Sequence, residues 1–234
     1  MSVIPPPSAW ADTVLDRLTT VYPAAADPER AARMRAYMKD VAPFLGLPSP
    51  ERRELSRTVL QGTARPDATD LTALALRCWA LSEREYAYFA VDCLRRHVRV
   101  LPSSFLPVAR QLITTVPWWD TVDHLAAHVV GALVAADPGL TAAMDAWIED
   151  DDLWVARTAL LHQLRFKEAT DSERLFAYCL RRAGHPDFFI RKAIGWALRE
   201  YAKTDADAVR GFVAAHRDVL APLSVREALK NVGP

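Results

Sequence analysis

The segment Trp118-Trp-Asp-Thr-Val-Asp123 carries the residue types most able to do chemistry. Trp119 and Asp123 stand four residues apart, so on a helix an indole and a carboxylate share one face. Such a pair could stabilise a developing positive charge, although a core tryptophan beside a surface aspartate has the same spacing. Lys192, Trp196, Arg199 and Lys203 follow at i, i+4, i+7 and i+11. They form one basic stripe with an aromatic residue set in it, which suits a phosphate backbone or a solvated helix face equally. Asp120, His124 and His128 have the spacing of a metal site, but His124-Leu-Ala-Ala-His128 lacks the glutamate of an HExxH protease. The acidic run Asp150-Asp-Asp152 stands where a helix should start and suits its dipole better than a magnesium ion.

Other chemistries find no footing. The eight glycines build no GxGxxG or GxxxxGK[ST] loop, and no GxSxG elbow occurs. Cys78, Cys93 and Cys179 form no CxxC pair and are expected as reduced core residues of a cytoplasmic protein. No run approaches the ~20 apolar residues of a membrane helix, and the Met-Ser-Val-Ile-Pro-Pro-Pro start lacks signal-peptide regions. No cofactor and no metal are expected. Formal net charge is zero, yet its distribution is uneven. Residues 118–152 hold eight acidic residues and no Lys or Arg, whereas residues 153–203 hold ten Lys/Arg against five Asp/Glu, a local +5.

The elements that must position these residues are helices. Apolar residues recur at three- and four-residue spacing, as in Ile194, Ala197, Leu198 and Tyr201, and no clear run alternates with period two. Ser82 with Glu85, and Ser224 with Glu227, fit capping boxes. Pro50, Pro117, Pro138 and Pro186 fit first-turn positions. Glu51, Tyr86, Trp119, Trp154, Phe189 and Ser224 open similar segments at intervals of 35, 33, 35, 35 and 35 residues. Two helices fit each interval, which is the pattern of an α-solenoid. The expected fold is therefore all-α, a right-handed α-solenoid of helix pairs, with residues 1–234 as a single domain and the chain a monomer.

Several stretches together resemble the AlkD-like DNA alkylation-repair glycosylases of bacteria, built from HEAT-like repeats. They are Tyr37-Met-Lys-Asp40 with Phe44-Leu-Gly46, Trp118 to Asp123, Leu153-Trp-Val-Ala-Arg-Thr-Ala-Leu-Leu-His-Gln-Leu164, Phe188-Phe-Ile-Arg-Lys-Ala-Ile-Gly-Trp-Ala-Leu-Arg-Glu-Tyr-Ala-Lys-Thr204, and Leu223-Ser-Val-Arg-Glu-Ala-Leu-Lys230. The likeness runs from about residue 30 to the end of the chain. It implies a monofunctional glycosylase that excises cationic N3- or N7-alkylated purines from double-stranded DNA. Trp119, Asp123 and Trp196 match the residues that surround the damaged nucleotide's sugar in that family. Arg157 matches an arginine that contacts the DNA backbone, and Tyr37, Lys39, Lys192, Arg199 and Lys203 are the further candidates for DNA contact. The alternative is a non-catalytic HEAT-repeat solenoid that binds DNA or protein through the same residues.

Overall fold

A computed structural model of the chain describes residues 3–230. Every regular element in them is helical, and among the described residues there is no strand. This is the all-α class expected of an α-solenoid. The chain divides into two compact units, Met1–Thr121 and Val122–Pro234, and the division falls inside a helix.

The first unit contains α1 (Ala9–Ala24), α2 (Pro28–Tyr37), α3 (Ser49–Leu60), α4 (Ala68–Trp79), α5 (Arg84–Arg96), α6 (Leu106–Thr114) and the start of α7 (Trp119–His124). Short polar side chains start several of them. Ser8 accepts the Ala11 N–H, Asp27 accepts the Arg30 N–H, and Asp67 with Asp70 forms a reciprocal capping box. Each such cap satisfies a donor that helix geometry leaves orphaned and contributes about 1 kcal/mol. The apolar face of α1 is Ala11, Val14, Leu18 and Tyr22, all fully buried, and it packs on α4 and α3. Tyr22 lies over Tyr86 (5.9 Å between centroids), meets Phe89 edge-on, and shares a 2.8 Å hydrogen bond with Ser56. Burial pushes its phenol up to about 12.

The second unit continues α7 into a π-helix at Leu125–Val130. It then contains α8 (Gly131–Ala136), α9 (Thr141–Trp147), α10 (Leu153–Leu161), α11 (Ser172–Arg181), α12 (Phe188–Tyr201), α13 (Ala206–Ala215) and α14 (Pro222–Ala228). Asp152 starts α10 by accepting the Trp154 and Val155 N–H groups, which is the role foreseen for the acidic run. Asp171, Asp187 and Asp205 cap α11, α12 and α13 in the same way. The core joins Val155, Ala159 and Leu161 of α10 to Ile190, Ile194 and Leu198 of α12. Each of the valine, leucine and isoleucine side chains among these contributes about 1.5–3 kcal/mol when fully buried.

The helices α3, α5, α7, α10, α12 and α14 begin within two residues of the six expected openings. Both expected capping boxes are corrected. Ser82 is not the N-cap of α5, and Glu85 is instead fully buried, accepting the N–H groups of Leu45, Gly46 and Leu47. The second, Ser224 with Glu227, lies inside α14, whose N-cap is Ala221. Pro117 and Pro186 precede α7 and α12 rather than standing in their first turns. Among the described residues no single helix is long and apolar enough to cross a membrane.

His162, at the end of α10, is buried in the second unit and donates Nδ1–H to the Ala159 carbonyl at 2.7 Å. Burial lowers its pKa to about 4. The unfolded chain takes up that proton near pH 6.5 and the folded chain only near 4, so the stability held above pH 6.5 declines as pH falls through this window. Urea midpoints at pH 7 and pH 5 should therefore differ less in a His162→Phe variant than in the parent. An equal loss in both would remove His162 as a source of acid sensitivity.

Candidate nucleic-acid and sugar site

Helix α7 carries Trp119 in its first turn and Asp123 one turn later, on one face as the spacing required. The first unit anchors the lead into this helix. Arg84, at the start of α5, donates to both Asp120 oxygens (3.1 and 2.6 Å), to Thr121 Oγ1 (2.9 Å) and to the Val116 carbonyl (2.7 Å). Tyr88 adds its hydroxyl to the same Asp120 carboxylate. Asp120 is thus held in a structural pair with a buried guanidinium, and the described residues hold no cluster of three metal-ligating side chains.

Asp123 faces the second unit's α10. The Arg157 guanidinium grips it as a fork, Nε to Oδ1 at 2.7 Å and Nη2 to Oδ2 at 2.8 Å. The remaining nitrogen, Nη1, donates to the Phe189 carbonyl at the start of α12. Arg157 is 1% exposed and Asp123 15%, so the carboxylate alone opens toward solvent. A planar guanidinium fork with two parallel hydrogen bonds fixes the direction of the carboxylate. The same guanidinium lies 5.5 Å from the centre of the Trp196 ring and 5.8 Å from that of Phe189.

Trp196 is half-buried in the middle of α12. Lys192 Nζ stands 5.8 Å and the Arg199 guanidinium 6.0 Å from its ring centre, so three cations surround one indole. Glu227 of α14 ties two of them, with Lys192 Nζ on Oε1 and Arg199 Nη1 on Oε2, each at 2.8 Å. The Lys192 hydrogen bond, with the neighbouring positive charges, holds the Glu227 carboxyl below the usual carboxylate range.

The second unit therefore brings together five of the expected residues: Asp123, Arg157, Lys192, Trp196 and Arg199. Lys203 lies beyond this cluster, exposed and paired with Glu200 at 2.6 Å. Tyr37 and Lys39 belong to the first unit, at the end of α2. Tyr37 is 72% exposed, and Lys39 with Asp40 adopts left-handed backbone, φ 59° and 58°. Arg157 stands differently from its expected role. Its guanidinium is enclosed and turned onto Asp123 and Phe189, not laid on the surface for a phosphate. Glu227 joins this cluster without having been expected there. The signal available was its place one repeat after Lys192, masked by the local Ser-x-x-Glu pattern.

Packed helix pairs that carry a forked carboxylate, an enclosed guanidinium and a cation-ringed indole define the class: an α-helical repeat protein with an ionic and aromatic centre. The family model of the DNA alkylation repair enzymes matches residues 18–232, across the division between the units, and the chain belongs to that family. Among solved structures it is similar to a predicted DNA alkylation repair enzyme from Enterococcus faecalis, at 32% identity and a TM-score of 0.80, covering 88% of this chain and 96% of that one. No curated protein matches. The chain's role lies in the repair of alkylated DNA, and its partner is DNA.

Proposed function

We propose that the protein is a monofunctional, cofactor-free DNA glycosylase that hydrolyses the N-glycosidic bond of N3- and N7-alkylated purines in duplex DNA, with Trp119, Asp123 and Trp196 at the sugar. The observation that carries this reading is the Asp123 carboxylate, partly exposed and fixed by the Arg157 fork, whose guanidinium also lies 5.5 Å from the centre of the Trp196 ring. An N3- or N7-alkylated purine is already cationic, so it departs without strong acid assistance and leaves oxocarbenium character on the deoxyribose. A preorganised carboxylate stabilises that charge and orients the attacking water, and an indole face favours it further. Lys192, Arg199 and Lys203, with Tyr37 and Lys39 of the first unit, meet the backbone phosphates. Arg157 serves them indirectly, by holding Asp123.

Incubation with duplex DNA containing 7-methylguanine, 3-methyladenine or hypoxanthine tests this reading. The two cationic bases are expected to be released, leaving an intact abasic site, and neutral hypoxanthine to be retained. Binding to unmodified duplex should weaken steeply between ~50 and 200 mM salt, since each neutralised phosphate releases counterion. DNA binding without release of any base would favour the non-catalytic reading. Release that EDTA abolishes and added metal restores would overturn the cofactor-free chemistry.

A further inference from the structure

Glu227 and Ser224 of α14 satisfy α12 rather than the start of their own helix. Ser224 Oγ donates to the Arg191 carbonyl at 2.8 Å, while Glu227 takes Lys192 with one oxygen and Arg199 with the other. The approach that allows this depends on Gly195. A β-carbon there would lie 2.4 Å from Glu227 Cβ and 3.0 Å from the Ser224 carbonyl oxygen. The two cations stand two helical turns apart with Trp196 between them, and both are in cation–π range of its ring.

Two opposing effects follow from one carboxylate in this position. It repels phosphate and competes with it for Lys192 and Arg199, so it weakens the contacts those two cations make to DNA. It also removes the rotational freedom of a lysine and an arginine, two of the most mobile side chains, and so fixes the charged walls against the indole. We propose that Glu227 is a positioning residue: by clamping Lys192 and Arg199 to either side of Trp196 it holds the indole for excision, at the expense of affinity for undamaged DNA. The inference rests on the glycosylase reading for its catalytic half and on geometry alone for its binding half.

The experiment compares full-length wild type with Glu227→Gln, which keeps the shape and removes the charge. Two quantities are read: the affinity for unmodified duplex across a salt series, and the single-turnover release of 7-methylguanine at saturating protein. With the clamp released, affinity at ~100 mM salt should rise severalfold, and the slope of log K against log salt should steepen by up to about 0.9 for each cation freed. Release should slow by about tenfold to a hundredfold, the upper figure being the scale on which a ~1 Å misplacement acts. A purely packing role would lower the melting temperature, affinity and rate together, and that result overturns the proposal. So does an unchanged salt slope, or a rise in affinity with release at the wild-type rate. If wild type releases no 7-methylguanine, the glycosylase reading fails, while the slope still decides whether Glu227 masks the two cations. Should the glutamine variant not fold, Glu227→Asp serves instead. One methylene shorter, it can reach only one cation, and an intermediate slope is expected.

Discussion

Replacing Asp123 by asparagine is expected to slow release of 7-methylguanine by about a hundredfold or more, the cost of losing a preorganised electrostatic partner of the transition state. The amide keeps the shape and one acceptor for the Arg157 fork, so the geometry around Trp196 should survive. What changes is charge. Arg157 is 1% exposed and loses its anion, leaving a guanidinium enclosed with only the Phe189 carbonyl and an amide oxygen. Breaking a buried pair from one side costs about 3–5 kcal/mol. The partial exposure of Asp123 and the surviving acceptor reduce this to about 1–3 kcal/mol, so a lowered melting temperature should accompany the lost rate. Rate must therefore be measured below the variant's transition, with affinity for unmodified duplex measured alongside. Affinity should be equal to or above wild type, because the substitution removes a negative charge that would repel phosphate. Wild-type release by Asp123→Asn would remove the carboxylate from the mechanism.

The partnership that shapes this prediction was hidden in the sequence. Trp119 and Asp123 were legible because both lie on one helix, where four residues make one turn. Asp123 and Arg157 lie on different helices, and no local spacing announces that their side chains meet. The motif around Arg157 pointed to an arginine beside DNA, while only packing shows that it is enclosed. The misread capping boxes have the same cause. Ser-x-x-Glu is a local pattern, but Glu85 reaches back to the backbone at Leu45–Leu47 and Glu227 reaches across to α12. A carboxylate three residues after a serine looks the same whether it caps its own helix or binds another. Helix starts were more legible at the six repeat openings and at the Asp150–Asp152 run, where the signal lies within a few residues of the start. The π-helix was not, because Leu125-Ala-Ala-His-Val-Val130 reads as ordinary apolar helix. Its exit, Gly131, is set by tertiary contact: a β-carbon there would lie 2.2 Å from the His162 carbonyl oxygen.

Arg84→Ala is expected to be the most destabilising single change in the first unit. The Arg84 and Asp120 side chains are 3% and 6% exposed, and the substitution leaves the carboxylate enclosed with only Tyr88 and the Thr121 N–H as donors. An uncompensated buried charge of this kind costs about 3–5 kcal/mol. For a chain of this size each kcal/mol moves the melting temperature by roughly 2–4 °C, so a fall of about 10 °C is expected. The loss is also local. Arg84 holds the Val116 carbonyl, and Val116 sits at φ 45°, a conformation unfavourable for a β-branched residue and kept only where its surroundings impose it. Released, the stretch from Val116 to Thr121 should relax, and with it the first turn of α7 that carries Trp119. Base release should then fall more than binding to unmodified duplex, at a temperature where the variant is folded. The double substitution Arg84→Met with Asp120→Leu separates the two effects. Apolar replacement of both partners removes the orphaned charge, so much of the lost stability should return, as it does for buried pairs generally. Base release should not recover, because neither new side chain can hold the Val116 carbonyl. Thermal melts that place Arg84→Ala within about 2 °C of wild type, under 1 kcal/mol on the same scale, would show that the pair does not anchor α7.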